Sequence, residues 1–226
     1  MALDVEHYEK VSILDRIAED EREDGYSIVQ DYRESLGGQR LSHLDAELAA
    51  RSRDVYSGAV IGRYGDEMPV WVFLEVVSFG TLVDFCSFCS GRWGDKELLD
   101  LHYMMKKAKS IRNAASHGAC IMNGFGDVDG KASSTPRTVR NALGSTGLSK
   151  QVRSRWLGNP RMRDIVTLAF LCSARVPEGA AKRGARTAIA SFFDGAAERL
   201  SNIPSNNPAV AGLAFAKSLT EELSLI

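Results

Sequence analysis

An all-α fold follows from three observations on this chain. Apolar residues recur at three- and four-residue steps, no segment alternates with period two, and helix start and stop residues separate the periodic stretches. With 226 residues, 44% hydrophobic and 25% charged, the chain can bury a full core, and its composition is that of an ordinary globular protein rather than a disordered one. No solenoid-length repeat is present.

The elements follow in order. Val11, Leu14, Ile17 and Ala18, and then Leu41, Leu44, Leu48 and Ala49, sit at helical spacing on either side of Gly37 and Gly38. Gly62, Gly65 and Pro69 mark a connection, with Pro69 suited to the first position of a helix. In residues 70–89, 14 of 20 are apolar, which is near the length of a membrane span. Glu75 and Asp84 argue against one, because an acid near the bilayer centre costs roughly 2.5–3.5 kcal/mol. The segment reads instead as one core helix, apolar nearly all round. Asp95 caps the next helix, whose buried stripe is Leu98, Leu101, Met105, Ala108, Ile111, Ala115, Ala119 and Met122, with Asn123 and Gly124 as its stop. Residues 126–150 read as a loop with one short helix. Asn159 with Pro160 opens a helix with Ile165, Leu168, Ala169 and Leu171 on its core face, and residues 181–200 and 208–223 supply two more.

A net charge of −1 conceals a strong polarity. Residues 1–67 carry 8 Lys/Arg against 16 Asp/Glu, whereas residues 131–186 carry 12 against 2. Such a basic stretch points to a surface that faces a polyanion, or else the two regions neutralise each other in the fold. Four cysteines in no regular framework do not suggest a secreted disulfide scaffold. The amino terminus has acids where a secretory signal needs a basic end and an apolar run, so the chain reads as cytoplasmic, with no membrane partner.

One constellation carries chemistry. Arg112, Asn113 and His117 interrupt an otherwise apolar helix. Asn113 and His117 are four apart on one face, and Arg112 is rotated about 140° from His117. A histidine moves a proton near neutral pH. An arginine holds a phosphate with two hydrogen bonds and stabilises charge developing on it. Together they suit metal-free RNA cleavage, in which the 2′-hydroxyl attacks its own phosphate. On spacing alone, a packed histidine beside a solvated arginine is the commoner arrangement.

The surrounding motifs resemble the Abi-like (abortive infection) family. Pro69, Trp71, Glu75, Ser78, Phe79, Gly80 and Leu82 match its first stretch, and Arg112, Asn113, His117 and Asn123 its second. The resemblance is close over residues 68–125 and loose after Asn159. The acidic residues 1–67 match only loosely, and Met122 stands where the family has an aromatic residue. It implies a HEPN-type helical bundle with extra helices, in two parts: an acidic helical region over 1–67, and the Abi-like domain over 68–226 with its basic segment at 131–186. It further implies a ribonuclease toxin of phage defence that cleaves RNA, for which tRNA is a candidate, without a cofactor. His117 would be the general acid or base, Arg112 would bind the scissile phosphate, and Asn113 would orient one of them or the substrate. Glu75, on a buried helix, would pair with a cation of the site, Arg112 first, or else link two helices. Asn123 would be a helix stop or a hydrogen bonder behind the site. A single motif per chain implies a homodimer with a composite site. Arg137, Arg140, Lys150, Arg153, Arg155, Arg161 and Arg163 would track the RNA backbone, and an antitoxin, either a small RNA or a protein, would restrain the activity.

Two further functions compete: a non-catalytic RNA-binding module, for example for a regulatory small RNA, and a helical assembly protein joined through its oppositely charged regions. Cys86 and Cys89 lack a second ligand pair at zinc spacing and read as small buried hydrophobes. His7, His43 and His102 read as surface or packing residues. Residues 126–130 lack the ligands of a calcium loop and read as a turn.

Overall fold

A computed structural model describes residues 1–65 and 67–226, and among them the apolar steps are realised as twelve α-helices with no strand. The chain divides into two compact units, His7–His102 and the combination of Met1–Glu6 with Tyr103–Ile226.

The first unit draws on α1 (Ala2–Glu19), α2 (Ser27–Ser35), α3 (Gly38–Arg51), α4 (Gly58–Tyr64), α5 (Val70–Val76), α6 (Phe79–Trp93) and the start of α7 (Lys96–Ser116). α1 buries Ile13 and Ile17 while Val11 and Ala18 are exposed, so its buried stripe is rotated from the expected one. The expected pattern passed over α2. Asp24 starts it, its carboxylate accepting from the N–H groups of Tyr26 and Ser27, both at 2.7 Å. α2 then buries Ile28, Val29 and Tyr32, and Tyr32 makes edge-on ring contacts with Phe73, Phe85 and Phe88 at 5.2–5.7 Å. Phe73 and Phe85 are completely buried, each contributing about 1.5–3 kcal/mol. α4 lies in what reads from sequence as a connection.

Residues 70–89 are not one helix. α5 and α6 are separated by Val77 and Ser78, both with extended backbone. Ser78 Oγ accepts from the Thr81 N–H at 3.3 Å and so caps α6. Glu47 on α3 accepts from the Ser78 N–H, and from the Thr81 hydroxyl at 2.6 Å. A capped break satisfies donors that a continuous helix would have used internally. Asp84 is exposed, and no helix among the described residues is long and apolar enough to cross a membrane.

The second unit continues α7 and adds α8 (Arg137–Gly144), α9 (Lys150–Leu157), α10 (Pro160–Arg175), α11 (Ala180–Arg199) and α12 (Pro208–Glu222). Asn159 opens α10 as expected, its Oδ1 accepting from the Met162 N–H at 2.9 Å with Pro160 in the first turn. α10 packs against α8, α9 and α12. Trp156 of α9 stacks on Phe215 of α12 with ring centres 5.7 Å apart, and Lys182 of α11 is buried with its amine donating to the Ser173 carbonyl at 2.7 Å.

Candidate active site

α7 begins where Asp95 predicts, with that carboxylate accepting from the N–H groups of Glu97 and Leu98 at 2.8 and 3.0 Å. It ends six residues before the expected stop. Gly118 adopts φ +65°, the Gly118 N–H donates to the Ala115 carbonyl at 3.1 Å, and the Ala119 N–H donates to the Ala114 carbonyl at 2.9 Å. This is a Schellman termination, in which glycine takes the left-handed position without steric cost. Ala115 and Ala119 are consequently exposed rather than part of the buried stripe, and Asn123 is an exposed residue of the turn that follows.

The early stop decides where the candidate residues sit. His117 becomes the residue that closes the helix, its N–H donating to the Asn113 carbonyl at 3.0 Å, and it is exposed. Arg112 continues the buried line of Met105 and Ala108 at the end of the helix and is itself half-buried. Its guanidinium donates to Asn113 Oδ1 at 3.4 Å, and the Ser116 hydroxyl donates to its carbonyl at 2.9 Å. Among the described residues, no carboxylate of its own unit pairs with Arg112. Four of its five N–H donors are therefore uncommitted within that unit. A backbone rise of about 7.5 Å and a rotation of about 140° separate Arg112 from His117.

The loop that leaves this helix end is held from below, by residues that sequence reasoning missed or assigned elsewhere. Asn159 is buried, and its Nδ2 donates to the carbonyls of Gly124 at 2.7 Å and Asp127 at 2.6 Å. Phe125 is buried against Gly212, where a Cβ would lie 2.3 Å from the ring. Arg163 is buried and forks onto Asp129 with N–O distances of 2.7 and 2.5 Å. That guanidinium holds the Asp129 carboxyl well below the usual carboxylate range, with the Lys131 N–H assisting. Behind α7, burial pushes the Asp164 carboxyl up, opposed by Lys107 at 3.3 Å.

These contacts correct two members of the expected RNA-tracking set. Arg163 is closed into the fold by its bond to Asp129. Arg153 donates to the carbonyls of Leu143 at 2.8 Å and Leu148 at 2.7 Å, serving the end of α8. Arg161 is half-exposed with Asp127 at 3.6 Å, while Arg137, Arg140, Lys150 and Arg155 are exposed. Glu75 is also corrected. It lies on the solvent side of α5 and is exposed, so the burial penalty that called for a partner does not arise.

Cys86 and Cys89 are buried in α6, as packing predicts; burial raises the Cys89 thiol above its ordinary range. His102 is buried and hydrogen-bonds the Val83 carbonyl at 2.7 Å, while His7 and His43 are exposed. Residues 126–130 anchor through Asp127 and Asp129, as described.

A family model described as Abi-like protein matches residues 1–123. The match takes in the acidic amino-terminal stretch, which the motif resemblance matched only loosely, and includes Arg112, Asn113, His117 and Asn123. It stops before α8, so the helices after Asn159 fall outside it. No curated protein and no solved structure matches the chain.

Proposed function

The chain belongs to the Abi-like protein family, which points to abortive infection and phage defence, and from that premise we propose that it is a metal-independent endoribonuclease acting as a toxin of that defence. One observation carries the reading. Within the family-matched segment, an exposed histidine closes the helix that also presents an arginine with no carboxylate partner in its unit among the described residues.

In the proposed reaction His117 accepts the proton of a ribose 2′-hydroxyl as its oxygen bonds to the adjacent phosphorus. Arg112 holds the non-bridging oxygens, where negative charge grows, and Asn113 steadies the guanidinium through its Oδ1. The bond from phosphorus to the 5′-oxygen breaks, and that oxygen takes up a proton. The products are a 2′,3′-cyclic phosphate and a 5′-hydroxyl. One imidazole cannot accept the first proton and donate the second at the same instant. A homodimer that brings two copies of the motif together supplies both roles, consistent with HEPN nucleases, which the motif resembles. A toxin of this kind requires restraint, so an antitoxin, either a small RNA or a protein, is the proposed partner.

Cleavage of total RNA in excess EDTA is the test. Wild type is expected to produce cyclic or 3′-phosphate ends, and His117→Ala to lower the rate by roughly 10²–10⁴-fold while still binding RNA. Equal behaviour of the two proteins, with RNA bound, would favour the second reading, a non-catalytic RNA-binding module. One observation favours that alternative: among the described residues no side chain of its own unit hydrogen-bonds His117 to orient its ring.

A further inference from the structure

The three tryptophans of this chain divide into two that are committed and one that is open. Trp93, at the end of α6, donates its indole N–H to Glu23 at 3.3 Å. It also carries the Arg16 guanidinium over its ring at 4.4 Å, and Asp95 pairs with that guanidinium. Trp156 is buried against Phe215. Trp71, in the first turn of α5, is 45% exposed and makes no hydrogen bond within its unit among the described residues.

The open ring is nonetheless held in place. Tyr26, 43% exposed, meets it edge-on with ring centres 5.6 Å apart. Gly25 adopts φ +76°, and a Cβ there would lie 3.3 Å from the Trp71 ring, so glycine lets the indole rest on this turn. The Val70 N–H donates to the Gly25 carbonyl at 2.7 Å, which ties the turn to the start of α5. Glu75 stands one turn along α5 from Trp71 and on the same face. It is exposed, with no ion pair in its unit among the described residues.

An arginine over an indole, with a carboxylate on the guanidinium, is the arrangement that Trp93 makes inside this unit. Trp71 and Glu75 present the same ring and carboxylate to solvent, with no arginine of their unit on them among the described residues. Tryptophan is the best ring for a cation. Aromatic anchors that are ordered before binding are also where affinity concentrates at protein interfaces. The net charge of −9 on this unit favours a basic partner and opposes a phosphate backbone.

We infer that Trp71, Tyr26 and Glu75 form a docking point for a protein partner, which places an arginine between the indole face and the Glu75 carboxylate. The inference stands apart from the ribonuclease reading, because the docking point lies in the unit that holds neither Arg112 nor His117, and its test reads no cleavage.

The test follows the tryptophan indole N–H signals of the isotope-labelled full chain by NMR. The Trp71 signal is the one absent from Trp71→Phe. The probe is a glycine-rich peptide carrying two arginines, and its control is the same peptide with citrulline, which keeps the shape and removes the charge. The arginine peptide is expected to shift the Trp71 signal to saturation and to leave those of Trp93 and Trp156 in place. The citrulline peptide is expected to move none of them. Glu75→Gln is expected to weaken peptide binding about two- to fivefold. Glu34→Gln makes the same charge change at an exposed acid on the far end of α2 and is expected to leave the affinity alone. An unmoved Trp71 signal, an equal response to citrulline, or equal losses in the two glutamate variants with helical content intact by circular dichroism overturns the inference. A single-stranded oligoribonucleotide that shifts the Trp71 signal overturns it as well, and assigns the face to nucleic acid.

Discussion

The two units of this protein carry opposite charge and use it differently. His7–His102 has a net charge of −9, and Met1–Glu6 with Tyr103–Ile226 has +8. In the acidic unit, arginines are tied to acids of that unit. Arg92 reaches both Glu23 and Asp31, Arg33 pairs with Asp45, and Arg16 pairs with Asp95 while lying over the Trp93 ring. In the basic unit, Arg163 is tied to Asp129 and Arg153 to the carbonyls of Leu143 and Leu148, but Arg137, Arg140 and Lys150 stay exposed without an ion pair in their unit among the described residues. The arginines named in the first unit serve its own fold. In the second, Arg137, Arg140 and Lys150 form no such pair, and exposed cations of that kind are the usual preparation for a polyanion.

The contrast is sharpest when each unit loses its most important side chain. Phe85→Ala in the acidic unit empties the centre of the Tyr32, Phe73 and Phe88 cluster and is expected to cost about 3–5 kcal/mol. Measured by thermal unfolding, the melting temperature should fall by roughly 10 °C, and protein kept below that temperature should cleave RNA at the wild-type rate. His117→Ala should do the reverse, leaving the melting temperature in place and removing the activity. Loss of cleavage by folded Phe85→Ala protein would break the division between scaffold and site.

The all-α class and several helix starts were legible from sequence, and the failures have physical causes. Asp95 and Asn159 announce α7 and α10 because capping is local: the donors served lie within three residues. Arg112, Asn113 and His117 were found from spacing and motif together. The end of α7 was missed because Ala115, Ala119 and Met122 continue an apolar period past Gly118, and alanine is too small for its burial to follow from the pattern. Ser78 was hidden in the same way by its apolar flanks. The fates of Arg163 and Glu75 were not readable. Arg163 depends on Asp129, 34 residues away, and Glu75 on which side of a seven-residue helix meets solvent.

The exposed and committed cations of the basic unit should separate in their response to salt. Each phosphate contact removed lowers the slope of log affinity against log salt by about 0.7 for a single strand and 0.9 for a duplex. Arg137→Ala and Arg140→Ala are each expected to flatten the slope by about that amount without changing stability. Arg153→Ala is expected to leave the slope alone and to destabilise by about 1–2 kcal/mol, because the carbonyls of Leu143 and Leu148 lose their donor. A flattened slope for Arg153→Ala would return it to the RNA-facing set.

The smallest effect is expected in acid, where two carboxyls of the basic unit act with opposite sign. Arg163 holds Asp129 below its unfolded value, so this acid contributes stability above about pH 3.9 and loses it as pH falls through the lower folded value. Burial raises Asp164, so the folded state binds its proton more readily, and that acid favours folding increasingly as pH falls towards the unfolded value. Between neutrality and pH 4 the loop after α7 should therefore stay closed. Below pH 4 the opened loop takes up a proton at Asp129 that the closed loop, with its carboxyl held lower by Arg163, still refuses, so amide exchange across residues 124–131 should accelerate progressively ahead of the helices. In Asp129→Asn the loop should exchange faster already at pH 7 and show little further change on acidification. A wild-type loop that opens only with global unfolding would mean that Asn159 and Phe125 hold it without the ion pair.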